Sequence, residues 1–338
     1  MKPNPLCLCL KNAAIPSLSP NEDQKNLFVC IRCKNSFHIS CYDNPTIQIL
    51  NNSITCIHCR LEIIEPYWSL SSDYLVVPQI LPMNNPVDLC FKIGIPAKDT
   101  EVIPKDSKVV IFCTKLKSTM TNNFFYEWPS ENFEIFLNGI PIAYEIYTFA
   151  YIDLLYFIEI QERDGQCQLK IVCKEKLPFN AVIGVAVAQT VEYKEIAKEI
   201  AHKNKLSMEE SKRKYDELRQ NDLEFSVGIS IKDPMSSFTL YMPARGLYCD
   251  HISCFDLMNF LNFNKTNYNN SRWKCPLCKS VLNITEIVID LYLYKIVKEM
   301  RGKGPNKTDI EKITHIFFDE KGGWKPKDKF SNLWSKKL

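Results

Sequence analysis

No stretch of this sequence is apolar for long enough to cross a bilayer. The most apolar short run, residues 181–188, is eight residues long and includes Gly184, against the roughly 20 that a spanning helix needs. It is read instead as a buried strand, and no membrane partner is expected. The amino terminus lacks what a secretory signal requires. Met1, Lys2, Pro3, Asn4 and Pro5 run directly into cysteines with no apolar core, so an intracellular protein is expected. Net charge is also small. At +3 over 338 residues, the total makes no strong electrostatic case for nucleic acid or membrane. The excess sits at the end, where residues 295–338 carry 12 Lys/Arg against 6 Asp/Glu, which reads as a solvated basic tail. Histidine is sparse, with five in the chain. Two of these, His38 and His251, stand at ligand spacing within the cysteine clusters. The others, His58, His202 and His315, have no surrounding pattern that would support a Cys/His nucleophilic pair, so no catalytic thiol is assigned. Internal repeats and low-complexity tracts are likewise missing.

What the sequence does contain is a globular composition, 46% hydrophobic and 24% charged, long enough for two or three domains with one sizeable core. Its most informative residues are 15 cysteines. Ten fall in two clusters at close spacing with interleaved histidines, a pattern of zinc rather than of disulfides. The other five, Cys90, Cys113, Cys167, Cys173 and Cys254, are read as small buried hydrophobes.

Five regions follow along the chain. Residues 1–65 are dense in cysteine and poor in periodic runs, as in a small fold whose core is mostly metal. Residues 74–190 are strand-dominated, with runs at 108–114, 133–137, 154–160 and 167–173 and turns at Asn138-Gly139 and Asp164-Gly165. Residues 191–222 read as a helical connector, with Ser207 and Glu210 spaced as a capping box. The second cysteine cluster and an apolar-rich segment occupy 223–300, and a polar region covers 301–338. The fold class expected is multidomain α+β: two small zinc-binding modules flanking a β-rich domain.

The first cluster offers Cys7-x-Cys9, Cys30-x2-Cys33, His38-x2-Cys41 and Cys56-x2-Cys59. Eight ligands suffice for two tetrahedral zincs, because a Cys-x2-Cys knuckle brings two thiolates from one tight turn to one ion at about 2.3 Å. Adjacent and alternating pairings of the four pairs both satisfy two ions. This order of ligands resembles a PHD finger, whose pairs alternate as a cross-brace. The resemblance implies one site of Cys7, Cys9, His38 and Cys41 and another of Cys30, Cys33, Cys56 and Cys59. Cys59-Arg60-Leu61 and Glu65-Pro66-Tyr67-Trp68 look like the exit from this finger in plant Siz ligases. PHD fingers often read histone tails through an aromatic cage around methyl-lysine, which makes a histone tail an expected partner. The usual cage positions here hold Ile54 and Ser36, so binding indifferent to methylation is expected.

The second cluster has five candidates, Cys249-x-His251-x2-Cys254 followed by Cys275-x2-Cys278. Five cannot complete two sites. One zinc is satisfied by Cys249, His251, Cys275 and Cys278, with Cys254 left as a thiol at the start of a helix over 255–263. Together with Pro243-Ala244-Arg245-Gly246, Cys254-Phe255-Asp256-Leu257 and Trp273-Lys274-Cys275-Pro276-Leu277-Cys278, this half-empty RING resembles the SP-RING of Siz/PIAS SUMO-protein ligases. Members often carry Cys-Pro-Leu or Cys-Pro-Ile upstream, where Asp233-Pro234-Met235 stands here. In this family the first RING site binds no metal and is held by packing and hydrogen bonds.

The resemblance implies a noncovalent ligase of nuclear location. Its finger holds the SUMO-loaded conjugating enzyme and orients the thioester toward a lysine of a chromatin-associated substrate. By position, Met235, Pro276 and Leu277 are expected to contact the conjugating enzyme. Trp128-Pro129 and Leu137-Asn138-Gly139-Ile140-Pro141 resemble the PINIT domain, which the family uses for substrate selection. Residues 319–326 look like its post-RING element that helps hold SUMO. Val288-Ile289-Asp290-Leu291 looks like a SUMO-interacting strand, but its position in the family is integral to the fold, so burial is expected. The SAP domain that often opens the family has no counterpart, so direct DNA binding is not expected. Three zinc ions follow from twelve ligands. A full RING ubiquitin ligase is disfavoured for want of eight ligands in the second finger. The competing function is a chromatin adaptor with little ligase activity, motivated by the departure at Asp233-Pro234-Met235.

Overall fold

The computed structural model describes residues 27–38, 56–94, 107–115, 132–142, 151–154, 166–221, 228–266, 272–303, 310–318 and 323–328. The chain divides into two compact units, Met1–Val191 and Glu192–Leu338. Both are rich in short strands.

In the first unit a hairpin of β1 (Leu27–Val29) and β2 (Ser36–His38) precedes helix α1 (Ile57–Ile64). The strands β3 (Trp68–Leu81), β4 (Val87–Gly94), β5 (Ser107–Lys115), β6 (Glu134–Leu137), β7 (Ile140–Pro141), β8 (Tyr151–Asp153), β9 (Gln166–Cys173) and β10 (Ala181–Thr190) follow. They form two antiparallel sheets ordered β3-β10-β5-β8 and β4-β9-β6-β7. Alternation decides which residues meet: Val109, Ile111, Cys113, Ile183, Val185 and Val187 point from the first sheet into a core shared with Ile93, Ile135, Leu169 and Ile171 of the second. The Leu137–Pro141 motif is the β6–β7 hairpin. Asn138 and Gly139 both have positive φ, 50° and 81°, as a two-residue turn matched to strand twist requires. Of the strand expected over 154–160 only Leu154 is described, buried and just after β8, which ends at Asp153; residues 155–160 lie outside the described residues.

The run 181–188 is a strand, as its apolar content implies, and is buried on both faces. The second face explains why the finger and the β-rich region are not separate here. Val110, Phe112, Val182, Ala186 and Ala188 share one core with Cys30, Phe37, Cys56, Ile57, Cys59 and Leu61 of the finger. Gly184 is needed in this strand because a Cβ there would lie 2.6 Å from the Phe112 ring.

The second unit contains α2 (Tyr193–Lys203), β11 (Lys205–Leu206), α3 (Met208–Asn221), β12 (Gly228–Ser230), β13 (Pro243–Gly246), β14 (Phe255–Asp256), α4 (Leu257–Thr266), β15 (Ile287–Asp290), α5 (Leu291–Lys303), β16 (Ile313–Phe318) and β17 (Trp324–Asp328). One sheet is ordered β11-β15-β13-β14 and another β12-β16-β17. The capping box predicted at α3 is present: the Glu210 amide donates to Ser207 Oγ at 3.1 Å, and the Ser207 amide donates to the Glu210 carboxylate at 2.9 Å. The region is two helices rather than one connector, however, and it belongs to the unit's interior. Strand β11 pairs with β15. Tyr215 shares a core with Ile229, Leu240, Cys254, Leu293, Val297, Ile310 and Ile316, so that core reaches beyond residues 223–300 at both ends. Strand β15, the Val288-Ile289-Asp290 segment, is wholly buried between β11 and β13.

Candidate metal centres and interaction loops

Three tight turns share one backbone design. In the first, the Cys30 amide donates to the Asn35 carbonyl and the Lys34 amide to the Cys30 carbonyl, both at 2.9 Å, with Lys34 at φ 63°. The second repeats it: Cys275 donates to Ser280, Lys279 donates to Cys275, and Lys279 has φ 63°. The third begins not at a cysteine but at Asp233, which donates to Phe238 at 2.8 Å. Ser237 donates back to Asp233 at 2.8 Å, and its φ is 63°. Each turn aims the side chains at its first and fourth residues toward one side, as a pair of metal ligands requires.

The first turn brings Cys30 and Cys33 against Cys56 and Cys59, whose ligand atoms all lie within 4.8 Å of one another. Cys56 caps α1 and accepts from the Cys59 amide at 3.4 Å, which sets the second pair on a rigid helix start. Cys33 Sγ and Cys56 Sγ are 3.9 Å apart, close to the roughly 3.8 Å edge of a tetrahedron with 2.3 Å zinc–sulfur bonds. This is the alternating pairing. Cys7, Cys9 and Cys41 lie outside the described residues, as does the side chain of His38, which ends β2. Of the aromatics near a possible cage, Phe37 is buried in the core, and Trp68 packs against it with Lys108 Nζ 5.2 Å from its ring centre.

The second turn brings Cys275 and Cys278 to Cys249 and His251. Cys249 and Cys278 sulfurs are 3.6 Å apart, and His251 Nε2 is 3.2 Å from Cys275 Sγ. The other ring nitrogen, Nδ1, lies 2.9 Å from the Ser253 carbonyl; donating there leaves Nε2 free to act as a ligand. Gly246 makes the approach possible, since a Cβ would lie 2.7 Å from Cys249 Sγ. Hydrogen bonding from Cys249 pulls the Cys275 thiol down to about 4, while the same contact raises Cys249. Sulfurs this close repel as thiolates unless a cation sits among them, so both donor sets suit zinc. Cys254 is absent from the set. It is buried in the apolar core, and burial holds its thiol well above the usual value.

The third turn is where the sequence departs from Cys-Pro-Leu, and it is filled by hydrogen bonds. One oxygen of the buried Asp233 carboxylate accepts from the Asp256 amide at 3.0 Å. The other accepts from the Ser236 amide at 3.0 Å, Ser236 Oγ at 2.7 Å and Asn259 Nδ2 at 2.9 Å. Asp256 in turn accepts from the amides of Met242, Met258 and Asn259 at 2.8, 3.0 and 3.2 Å, and from that of Tyr241. The pairs Asp233-x2-Ser236 and Asp256-x2-Asn259 thus occupy four corners in the manner of four ligands. The sequence marked Asp233 as the place of the missing cysteine and the resemblance implied a site held by hydrogen bonds, but none of the four was assigned a role, although Asp233-Pro-Met-Ser236 and Cys275-Pro-Leu-Cys278 share their spacing, a proline second and an apolar residue third. Met235 and Pro276 are half-buried at their turn tips, and Leu277 is 37% exposed.

Behind these turns lies an ion pair, Arg245 Nη2 to Asp290 Oδ2 at 3.2 Å, with side chains 1% and 0% exposed. Ser211 Oγ and Tyr215 Oη of α3 donate to the same carboxylate at 2.5 and 3.0 Å. Comparison with known proteins agrees with this geometry. Residues 229–281 match the MIZ/SP-RING zinc finger. Over 289 residues the chain is 24% identical to the E3 SUMO-protein ligase pli1 of Schizosaccharomyces pombe, covering 80% of this chain and 37% of that protein. It is 29% identical to the E3 SUMO-protein ligase SIZ1 of Arabidopsis thaliana over 102 residues, 30% of this chain and 10% of that protein. The chain therefore spans about a third of the first of these relatives and a tenth of the second. The crystal structure of the S. cerevisiae SUMO E3 ligase SIZ1 shares the fold, with a TM-score of 0.54 at 12% identity over 78% of this chain and 92% of that one.

Proposed function

We propose that this chain, which belongs to the Siz/PIAS family, is a SUMO-protein ligase that holds a SUMO-charged conjugating enzyme between the two like-shaped turns of its second finger. The observation that carries this reading is the congruence of Asp233–Ser236 with Cys275–Cys278: equal hydrogen bonds, equal φ at the fifth residue, and Pro-Met and Pro-Leu at corresponding tips. One turn is held by a donor set suited to zinc and the other by a carboxylate network, yet both offer an apolar side chain on a rigid backbone. Met235, Pro276 and Leu277 are the conjugating-enzyme contacts in this reading. The chain's own chemistry is positional. It fixes the thioester relative to a substrate lysine and contributes no nucleophile of its own.

Zinc, when bound, supplies structure rather than chemistry. Cys249, His251, Cys275 and Cys278 would hold one ion, and Cys30, Cys33, Cys56 and Cys59 another. A third falls to Cys7, Cys9, His38 and Cys41. The substrates are read as nuclear and chromatin-associated, with a histone tail as a candidate ligand of the first finger. A reconstituted reaction tests the function. With SUMO, its activating and conjugating enzymes and a substrate protein, the chain should accelerate conjugation, and with the ubiquitin enzymes it should not. The adaptor reading predicts binding without acceleration in either arm. Its motive, the loss of Cys at position 233, is weakened because the turn stands without a metal.

A further inference from the structure

An antiparallel sheet commonly packs one face on a core and leaves the other to water. The sheet β3-β10-β5-β8 does not: the side chains of Val110, Phe112, Val182, Ala186 and Ala188 on its second face are all 0% exposed. What buries them is the first finger. Cys30, Cys56 and Cys59, three of the four sulfur donors, lie in the same apolar cluster as those five residues, with Cys33, Trp68 and Tyr74 packed against it. Tyr74 of β3 packs against this cluster. Its ring packs against that of Phe112 at 6.0 Å between centroids, tilted by 52°. The residues on this face of β10 are Val182, Gly184, Ala186 and Ala188, small enough for the finger to sit close.

We propose that the metal centre of Cys30, Cys33, Cys56 and Cys59 is a structural half of the β-rich domain, so that metal occupancy there and the order of β5 and β10 are thermodynamically linked. The argument has two steps. The four donors come from two separate segments, the turn at Cys30 and the start of α1, which meet at this centre and at the cluster beneath it. The Arg32 guanidinium adds a hydrogen bond to the Cys59 carbonyl at 3.3 Å and an ion pair with Glu62 at 3.5 Å, contacts that contribute little where they are part-exposed. Releasing the ion frees both segments, because a structural zinc site and its fold form together. With those segments freed, the apolar face of β5 and β10 meets water. Linkage is reciprocal, so damage to the sheet face must weaken metal binding by the same factor. A PHD finger acting as a self-contained reader would show neither effect.

The test uses the full chain. Cys33→Ser removes the most exposed of the four donors with little change in volume, and Cys278→Ser does the same at the second finger. Zinc is counted by native mass spectrometry, and hydrogen exchange is followed over 107–115 and 181–190. Cys33→Ser should lose an ion and speed exchange in both strands by about 5- to 150-fold, the range typical of coupled sites. Cys278→Ser should lose an ion and leave those strands protected. Phe112→Ala, with every ligand intact, should lower the zinc affinity of the first finger against a competing chelator by a factor in the same range, and it decides alone if Cys33→Ser cannot be isolated folded. Loss of the ion with unchanged protection of β5 and β10, or unaltered zinc affinity in Phe112→Ala, overturns the linkage.

Discussion

Replacing Asp233 by alanine tests how a RING-like turn stands without a metal. The carboxylate is 1% exposed and accepts four hydrogen bonds at 2.7 to 3.0 Å. Truncation leaves the Asp256 amide, which faces it from the buried strand β14, with no partner, at a cost of about 1–3 kcal/mol. The Ser236 and Asn259 groups lose less, since they lie 3.0 Å from each other and are half-buried. A further 1–2 kcal/mol for them brings the total to roughly 2–5 kcal/mol. That is a large share of a domain stability of about 5–15 kcal/mol, and it falls on one loop. Thermal unfolding should drop by several degrees. The zinc of Cys249, His251, Cys275 and Cys278 should remain, because no ligand of that centre touches Asp233. Stimulated SUMO transfer should fall as Met235 loses its fixed position. Asp233→Asn should be intermediate, since an amide keeps one acceptor but turns a second donor toward Ser236 and Asn259. A variant Asp233→Ala that melts within experimental error of the parent and transfers SUMO at the parent rate would refute the claim that this network stands in for a metal.

Elemental analysis of the purified chain should give three zinc ions; four would sink the argument that the second finger holds one. Cys275→Ser or His251→Ala should unfold that finger, whereas Cys254→Ser should retain its zinc, and equal metal loss in both would show the ligand set to be wrong. Leu277→Ala should keep the zinc yet reduce SUMO transfer by about 5- to 150-fold, the loss of an interface anchor worth on the order of 1–3 kcal/mol; transfer at the parent rate removes Leu277 from the interface. Tyr215→Phe deprives the buried Asp290 carboxylate of a donor at 3.0 Å and should cost about 1–3 kcal/mol in chemical denaturation, with Ser211→Ala similar; no change in either would mean that α3 is only attached. Histone peptides should bind the first finger with little preference between methylated and unmethylated lysine, and strong selection for the methylated form in a titration would indicate a cage that Ile54 and Ser36 do not disclose.

Sulfur chemistry and turn geometry are local, so the sequence by itself sufficed for them. A Cys-x2-Cys knuckle closes through hydrogen bonds within six residues, as at Cys30 and Cys275, and its spacing is visible without the fold. The same holds for the Asn138-Gly139 hairpin, the Ser207–Glu210 capping box and the buried strand at 181–188. Tertiary structure decided whatever depends on partners far along the chain. A continuous apolar strand announces that both its faces are covered, but not by what; the finger covers one of them. Asp233 reads as a lost ligand until Asp256 and Asn259, more than twenty residues away, are seen to donate to it. The charged segment 208–221, part of the connector expected over 191–222, is attached through Ser211 and Tyr215, and the carboxylate that holds them lies at Asp290, 79 and 75 residues on. Burial of that carboxylate beside Arg245 makes each missing donor costly, and a cost of that kind exists only once distant segments have been brought together.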